Sequence, residues 1–136
     1  MFHLSIVTPE KIFYDDEVKS LVVPGSEGYL GVLSNHAPLI TALKPGKLEF
    51  QDSHDKHVIF AISGGFLEVS NNQANLLVEA VEPAEEIDFE RAQKAYDKAL
   101  KRLQEEKDKL SEAELAATKS TLEKAANRIK VYQDTH

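Results

Sequence analysis

Cysteine and tryptophan are both absent from the 136-residue chain. The lack of cysteine excludes disulfides, thiolate metal ligands and cysteine nucleophiles. Apolar runs are only a few residues long, whereas a membrane-spanning helix needs about 20 apolar residues. Residues 1–7 also lack the basic start and apolar block of a signal peptide. We therefore expect a soluble protein, or one that a partner holds at a membrane.

Positive charge is scarce. The chain has 16 Lys and Arg against 23 Asp and Glu, which gives a formal net charge of −7. Non-specific binding to nucleic acid needs the opposite balance, so the composition argues against that function. With 42% hydrophobic residues, the chain has enough apolar material for a packed core and is not a disordered polymer.

Glycine and proline are confined to the first part of the chain. All six glycines and all five prolines lie at or before Pro83, and none follows it. Breakers at short spacing favour strands and turns, whereas a breaker-free stretch rich in Ala, Glu and Lys favours helix. The sequence therefore predicts two domains, residues 1–84 and residues 85–136.

Short apolar and alternating segments predict strands in the first domain. Residues 57–62 are apolar on nearly both faces, as in a buried strand of a sandwich. Asn71 and Asn72 tolerate positive φ and predict a tight turn before a strand at residues 74–78. Further strands are expected at residues 2–7, 18–23, 39–43, 47–51 and 66–69. Eight to ten short strands predict a small β-sandwich or barrel.

The second domain has the pattern of a helical hairpin. Asp88 is a good N-cap for a first helix. Ser111 and Glu114 have the spacing of a capping box and predict the start of a second helix. The short connection between the two helices predicts that they lie antiparallel.

No residue cluster indicates catalysis or a metal site. The five histidines lack helical pairing and compact ligand spacing. A nucleophile–base set, a Walker loop and a dinucleotide fingerprint are all missing. The glycine-rich segment at residues 25–31 favours a structural turn or a protein-contact loop. We therefore predict a protein that is not an enzyme alone and requires neither a metal nor a cofactor.

Two arginines of the hairpin have a notable spacing. If the turn lies at residues 109–110, Arg91 and Arg128 face each other near the open end. Neighbouring guanidinium groups repel each other, so a polyanion such as a nucleotide phosphate is one reason to bring them together. The alternative is that each arginine pairs with a nearby carboxylate such as Glu90 or Glu123, since surface ion pairs are common and weak.

Two sequence blocks of the first domain are distinctive. The first reads GYLGVL at residues 28–33 and HAPLI at residues 36–40, and the second reads SGGFLEV at residues 63–69. In this order, the two blocks resemble the epsilon subunit family of the rotary F-type ATP synthase. With the Ala-rich hairpin that follows, the resemblance covers essentially the whole chain. One departure is the pair Ser34-Asn35, where the family commonly has Pro-Gly, another pair suited to a turn.

The resemblance implies a ten-stranded β-sandwich followed by an antiparallel two-helix hairpin, in a non-catalytic subunit of the central stalk. Such a subunit binds gamma and the membrane rotor ring and takes part in proton-driven ATP synthesis. Its mobile helices can extend into the alpha/beta catalytic head and inhibit ATP hydrolysis. The implied location is peripheral, at the cytoplasmic face of a bacterial inner membrane rather than a chloroplast thylakoid, with the membrane reached only through the complex.

The resemblance also implies three sets of contact residues. The rotor-ring contact is Ser26, Glu27, Gly28, Tyr29 and Leu30. The gamma contact is His36, Ala37, Pro38, Leu39, Ile40, Thr41, Ala42 and Leu43. Residues 87–92 match the family's ATP-binding motif of Ile or Leu, Asp, two variable residues, Arg and Ala. The implied regulatory ATP site is Glu82, Ile87, Asp88, Arg91, Ala92, Lys124 and Arg128.

A second interpretation is a free-standing β-sandwich that serves as a binding or adaptor module with a helical tail. The two interpretations differ in their partner, because only the first requires gamma in stoichiometric amount. The alanine-rich inner face of the hairpin leaves its mobility open as well. It is consistent with weak docking to the sandwich, and equally with ordinary tight packing of two helices.

Overall fold

Nine strands and two helices follow one another in the computed structural model, which describes residues 1–136. The strands are β1 Phe2–Val7, β2 Ile12–Gly25, β3 Gly28–Val32, β4 Leu39–Leu43, β5 Gly46–Asp52, β6 His57–Ile62, β7 Gly65–Ser70, β8 Gln73–Val78 and β9 Val81–Pro83. The helices are α1 Phe89–Glu105 and α2 Glu112–Thr135, with short 3-10 turns at Ala84–Glu86 and Lys107–Lys109. The chain divides into two compact units, Met1–Pro83 and Ala84–His136.

The strands of the first unit form one hydrogen-bonded sheet that folds over a shared core. Its order is β1-β8-β7-β4-β2-β5-β6-β9, with β3 on β2 and an additional pairing of β1 with β2. Inward side chains alternate with outward ones, as in β1, where Phe2, Leu4 and Ile6 are buried. The core residues all come from this unit. This sandwich, followed by the helical hairpin, confirms the predicted fold class.

The sheet has nine strands where ten were implied, and β2 is one long continuous strand. It runs unbroken for 14 residues, pairing with β1 through its first half and with β3 and β5 through its second. The register with β5 shifts between Val18 and Ser20, where the strand passes from one set of neighbours to the other. The sequence predicted only the second half, because Asp15, Asp16 and Glu17 interrupt the apolar pattern.

Asparagine forms the turns that were predicted for it. Asn71 and Asn72 have φ of 51° and 58° and connect the paired residues Ser70 and Gln73 of β7 and β8, which confirms the tight hairpin. Asn35, at the departure from the family pattern, has φ of 62°. The Ser34-Asn35 pair therefore makes a turn, as the alternative Pro-Gly pair would.

The helical hairpin has the predicted caps. The Asp88 side chain accepts a hydrogen bond from the Arg91 backbone N–H at 3.1 Å, and Ser111 with Glu114 forms a complete capping box before α2. The Phe89 and Tyr132 rings lie 5.0 Å apart at the open end. These features confirm an antiparallel pair. Neither helix is long and apolar enough to cross a membrane.

Glu49 on β5 is held by two hydrogen-bonding side chains on the sheet surface. Its carboxylate lies 2.7 Å from Lys47 Nζ and 2.9 Å from His57 Nε2 on β6. Partial burial acts to raise the pKa of the Glu49 carboxyl, but the hydrogen bonds from Lys47 and His57 outweigh it and lower the pKa. Ionised Glu49 therefore stabilises the fold.

Glu49→Gln is expected to make the free energy of unfolding fall less steeply as the pH is lowered. The folded-state pKa of Glu49 lies below its unfolded value of 4.5. Its contribution is therefore present above that pH and is lost as the pH falls through the folded pKa. We expect the free energy of unfolding at pH 7, measured with urea, to fall by about 0.5–1 kcal/mol. Glu68→Gln, at an exposed carboxylate on β7, is the control. An equal flattening by both variants would contradict this assignment.

Candidate partner and nucleotide sites

The predicted rotor-ring segment is the turn between β2 and β3. Gly25 pairs with Gly28, which leaves Ser26 and Glu27 as an exposed two-residue tip. Gly28 has φ of 132°, a backbone conformation that a side chain would strain. A Cβ on Gly25 would lie 2.8 Å from the Gly28 carbonyl oxygen. The tip therefore needs both glycines to reverse the chain so tightly.

Backbone hydrogen bonds tie this turn to β4, which belongs to the predicted gamma segment. The Ser26 N–H donates to the Ala42 carbonyl at 3.0 Å, and the Lys44 N–H donates to the Pro24 carbonyl at 3.0 Å. Gly25 also pairs directly with Leu43. The structure thus brings together two segments for which the family resemblance implies different partners.

The gamma segment itself has an inward and an outward side. Leu43 is buried, and Leu39 is half-buried and packs against the core. Ile40 is 74% exposed, and Ala37, Pro38 and Ala42 are exposed too. The side chain of His36 hydrogen-bonds to the Ala37 carbonyl at 2.7 Å, and Thr41 is half-buried. Leu39 and Leu43 thus support the fold, and the outward residues are available to a partner.

An exposed apolar row, which the sequence reasoning missed, extends from Ala42 across three more strands. Ala42 of β4 pairs with Phe66 of β7, Phe66 pairs with Leu77 of β8, and Leu77 pairs with Val7 of β1. Directly paired residues project from the same face of a sheet. Phe66 and Leu77 are each 58% exposed. We call Val7, Leu77, Phe66 and Ala42 the apolar row.

A shallow groove of about 350 Å³ lies along one end of the apolar row. Val7, Pro9, Phe66 and Leu77 are among its lining residues, and its surface is almost entirely apolar. An apolar groove beside exposed aromatic and aliphatic side chains is typical of a protein-contact surface. The sequence does carry a signal for this surface. In both β7 and β8 an apolar residue stands at an outward position, which interrupts the alternation of apolar and polar residues.

The ATP motif, residues 87–92, lies at the start of α1. Ile87 and Ala92 are buried, so their apolar side chains support the helix start. Asp88 is the N-cap and is exposed, as is Arg91. With Glu90, which is also exposed, the segment presents two carboxylates and one guanidinium group to solvent near the helix start.

Lys124 and Arg128 are one turn apart on α2, and both are half-buried. Two contacts between the helices lie on either side of Arg91 and Arg128. Toward the open end of the hairpin, Phe89 contacts Tyr132. On its closed side, Arg102 contacts Glu114 at 3.3 Å. These two contacts place Arg91 and Arg128 at similar levels of the hairpin. Glu82 lies in β9, which belongs to the other unit.

Helix α1 has a basic side that runs along its length. Three exposed cations recur at three- and four-residue spacing, and the adjacent pair that follows lies three and four residues beyond the last of them, so all share one side of the helix: Arg91, Lys94, Lys98, Lys101 and Arg102. A groove of about 290 Å³ lies between the helices on this side. Lys98 and Arg102 line it together with Thr118 and Thr121 of α2. One side of α1 thus gathers five of the cations in a chain of net negative charge.

Two of the five histidines contact separate carboxylates. His3 contacts Asp15, while His57 contacts Glu49 at 2.9 Å. Each contact joins neighbouring strands of the sandwich surface, β1 with β2 and β5 with β6. These histidines therefore act as cross-strand partners of acidic residues.

Models of one protein family match the chain in two consecutive parts. The description ATP synthase, Delta/Epsilon chain, beta-sandwich domain matches residues 1–84, and ATP synthase, Delta/Epsilon chain, long alpha-helix domain matches residues 85–133. The ATP synthase epsilon chain of Syntrophomonas wolfei is 43% identical over 129 residues, 95% of this chain and 92% of that relative. That of Desulforamulus reducens is 45% identical over 127 residues, 93% of each.

Two of the solved structures with a similar fold are of mitochondrial enzymes. A chain of the Euglena gracilis mitochondrial ATP synthase, in a structure of OSCP, F1 and c-ring, has a TM-score of 0.80 at 27% identity and covers 91% of this chain and 76% of that chain. A chain of the Tetrahymena thermophila mitochondrial ATP synthase central stalk and c-ring has a TM-score of 0.65 at 18% identity and covers 96% and 95%. The second likeness concerns the fold alone.

Proposed function

Because the chain belongs to the ATP synthase epsilon-chain family, we propose that it is a non-catalytic central-stalk subunit that links gamma to the membrane rotor ring. The observation that carries this proposal is the backbone hydrogen bonding of the β2–β3 turn to β4, from Ser26 to Ala42 and from Lys44 to Pro24. A subunit that passes rotation between two partners needs contact surfaces that are fixed to each other. Family membership also favours this function over a free-standing adaptor module.

The gamma contact of this proposal includes the apolar row. The row is continuous with β4 through Ala42, and Ile40 adds a further exposed apolar side chain beside it. The next outward positions on the neighbouring strands are polar, namely Glu68 on β7 and Asn75 on β8. An apolar centre beside a polar rim is the usual anatomy of a protein interface. Gamma would therefore cover the row with apolar side chains.

The helical hairpin would regulate ATP hydrolysis in this proposal. It has its own caps and its own aromatic contact, so each helix has local support for its structure. The buried side chains of α1 are Ala92 and Ala99 only, and a buried methyl group contributes only about 0.8 kcal/mol. A difference of a few kcal/mol between two hairpin positions is within the reach of a bound ligand.

ATP is the regulatory ligand of this proposal. Its phosphates would bind between Arg91 and Arg128, with Lys124 as a third cation, and would favour the compact form of the hairpin. The extended form would contact the alpha/beta catalytic head and inhibit hydrolysis. The exposed cations of α1 support an acidic or phosphorylated partner in either position. As part of the complex, the subunit would lie at the cytoplasmic face of a bacterial plasma membrane.

Three versions of the chain, assembled with gamma and the catalytic head, test both parts of the proposal. A chain ending at Ala84 is expected to bind gamma as the full chain does but not to inhibit ATP hydrolysis, because the core lies entirely before that residue. Phe66→Ser in the full chain should weaken gamma binding by about 10-fold or more, since it removes a large apolar contact. Binding and hydrolysis rates are the measurements.

Val22→Ser is the matched control, at an outward apolar residue on β2 that lies outside the apolar row. It should leave gamma binding unchanged. Equal loss with Phe66→Ser and Val22→Ser would refute the apolar row as the gamma contact. Unchanged inhibition by the chain that ends at Ala84 would refute the regulatory role of the hairpin and leave the stalk role intact.

A further inference from the structure

Tyr29 is a largely exposed residue whose hydroxyl makes a specific hydrogen bond to the backbone of another strand. Tyr29 lies on β3 opposite Pro24, and its side chain is 54% exposed. Its hydroxyl nevertheless accepts a hydrogen bond from the backbone N–H of Lys47 at 3.1 Å. The pairing of β2 with β5 ends at Glu49, so Lys47 lies beyond the last pair. The Tyr29 hydroxyl thus bonds to β5 just beyond the point where the pairing of β2 with β5 ends.

Gly46 permits this close approach of β5 to the base of the β2–β3 turn. A Cβ on Gly46 would lie 2.3 Å from Pro24 Cβ and 3.2 Å from the Tyr29 hydroxyl. A contact of 2.3 Å is impossible without movement of the backbone, because the proline ring is rigid. Pro24, Tyr29 and Gly46 therefore pack as one contact, which holds the turn to β5.

The turn is consequently anchored on two sides. On one side, the Ser26 N–H and the Pro24 carbonyl hydrogen-bond to β4. On the other side, the Tyr29 hydroxyl on β3 accepts a hydrogen bond from the Lys47 N–H of β5. A two-residue tip held on both sides is preorganised for a partner, and preorganisation reduces the ordering cost of binding.

We propose that Tyr29 is a positioning residue, which fixes the exposed tip at Ser26 and Glu27 in the conformation that the rotor ring binds. This inference rests on the proposed function, and it changes the role of Tyr29 within the predicted ring contact. The tyrosine acts through the tip, by binding β5, while the tip itself meets the ring. The tyrosine does so through its phenolic oxygen, which accepts a hydrogen bond from the backbone of β5.

Tyr29→Phe tests this role, because it removes the phenolic oxygen and keeps the ring. We expect hydrogen exchange of the Lys47 amide in the full chain, followed by NMR, to become about 2- to 10-fold faster. We expect the affinity of the assembled head and stalk for ring-containing membranes to fall by a similar factor, with gamma binding unchanged. Tyr14→Phe is the matched control, since the Tyr14 ring contacts Phe50 at 4.6 Å within the same sandwich.

Each possible result of this experiment has a distinct meaning. Unchanged Lys47 exchange in Tyr29→Phe would overturn the anchoring role, and faster exchange with unchanged ring affinity would overturn the positioning role. An equal affinity loss with Tyr14→Phe would overturn both, because the effect would then be a general one of sandwich stability. If the wild-type chain itself does not contribute to ring binding, the proposed stalk function fails, and the exchange measurement still decides whether Tyr29 holds the turn.

Discussion

Alanine at Gly65 is expected to unfold the sandwich or to lower its free energy of unfolding by at least about 3 kcal/mol. Gly65 has φ of 150°, a conformation that side chains rarely adopt. A Cβ there would lie 2.1 Å from the Leu77 carbonyl oxygen and 2.8 Å from Val78 Cα. Both neighbours are backbone atoms of the paired strand β8, so neither can rotate away. Denaturant titration with a fluorescence or circular dichroism signal measures the effect.

Gly31→Ala is the matched control for this prediction. It lies on β3, where no atom comes within 4 Å of a built Cβ and φ is not positive. We expect its free energy of unfolding to remain within about 0.5 kcal/mol of the wild-type value. A Gly65→Ala protein as stable as Gly31→Ala would show that β7 and β8 separate easily, and the packing described for them would be wrong.

Alanine at Arg91 or Arg128 is expected to weaken ATP binding by about 10- to 100-fold. A hydrogen bond to a charged group contributes about 1.5–3 kcal/mol, and each 1.4 kcal/mol is a factor of ten in affinity. Lys124→Arg should leave the affinity unchanged or raise it, because a planar fork would replace a point charge. Isothermal titration of the full chain with ATP measures all three variants.

Arg102→Ala controls for the loss of a positive charge from the same helix. Arg102 lies at the other end of α1, where it contacts Glu114 at 3.3 Å, and its removal should leave ATP affinity unchanged. The compact form should also be the one that ATP favours, so labels on the sandwich and on α2 should approach each other at saturation. Equal losses at Arg91 and Arg102, or an unchanged label separation, would rule out ATP as the switch.

Local signals in the sequence predicted the helical hairpin well. The Asp88 cap and the Ser111–Glu114 capping box depend on residues within one turn of each other, and both are present. The hairpin register followed from its turn, because an antiparallel pair with a short connection has little freedom. The placement of Arg91 and Arg128 as a phosphate-binding pair remains a prediction.

Features that depend on strand register could not be predicted in this way. The apolar row requires the pairings of β1 with β8, β8 with β7 and β7 with β4, which join residues far apart in sequence. The first half of β2 was missed because its acidic residues face solvent, so no apolar alternation marks it. The role of Tyr29 depends on Lys47, which becomes its neighbour only when β3 and β5 meet.

Strand β1 pairs with β2, which follows it directly in the chain, and with β8, which comes much later. During synthesis its two edges must therefore be paired at different times. Strand β1 can pair with β2 soon after both leave the ribosome, since they are adjacent in the chain. Its other edge pairs in parallel with β8, from His3 with Gln73 to Val7 with Leu77, and stays open until β8 emerges. Contacts of such long sequence separation form slowly, whereas the local contacts of the hairpin form fast. One edge of β1 therefore keeps unpaired backbone N–H and C=O groups during most of the synthesis of the domain.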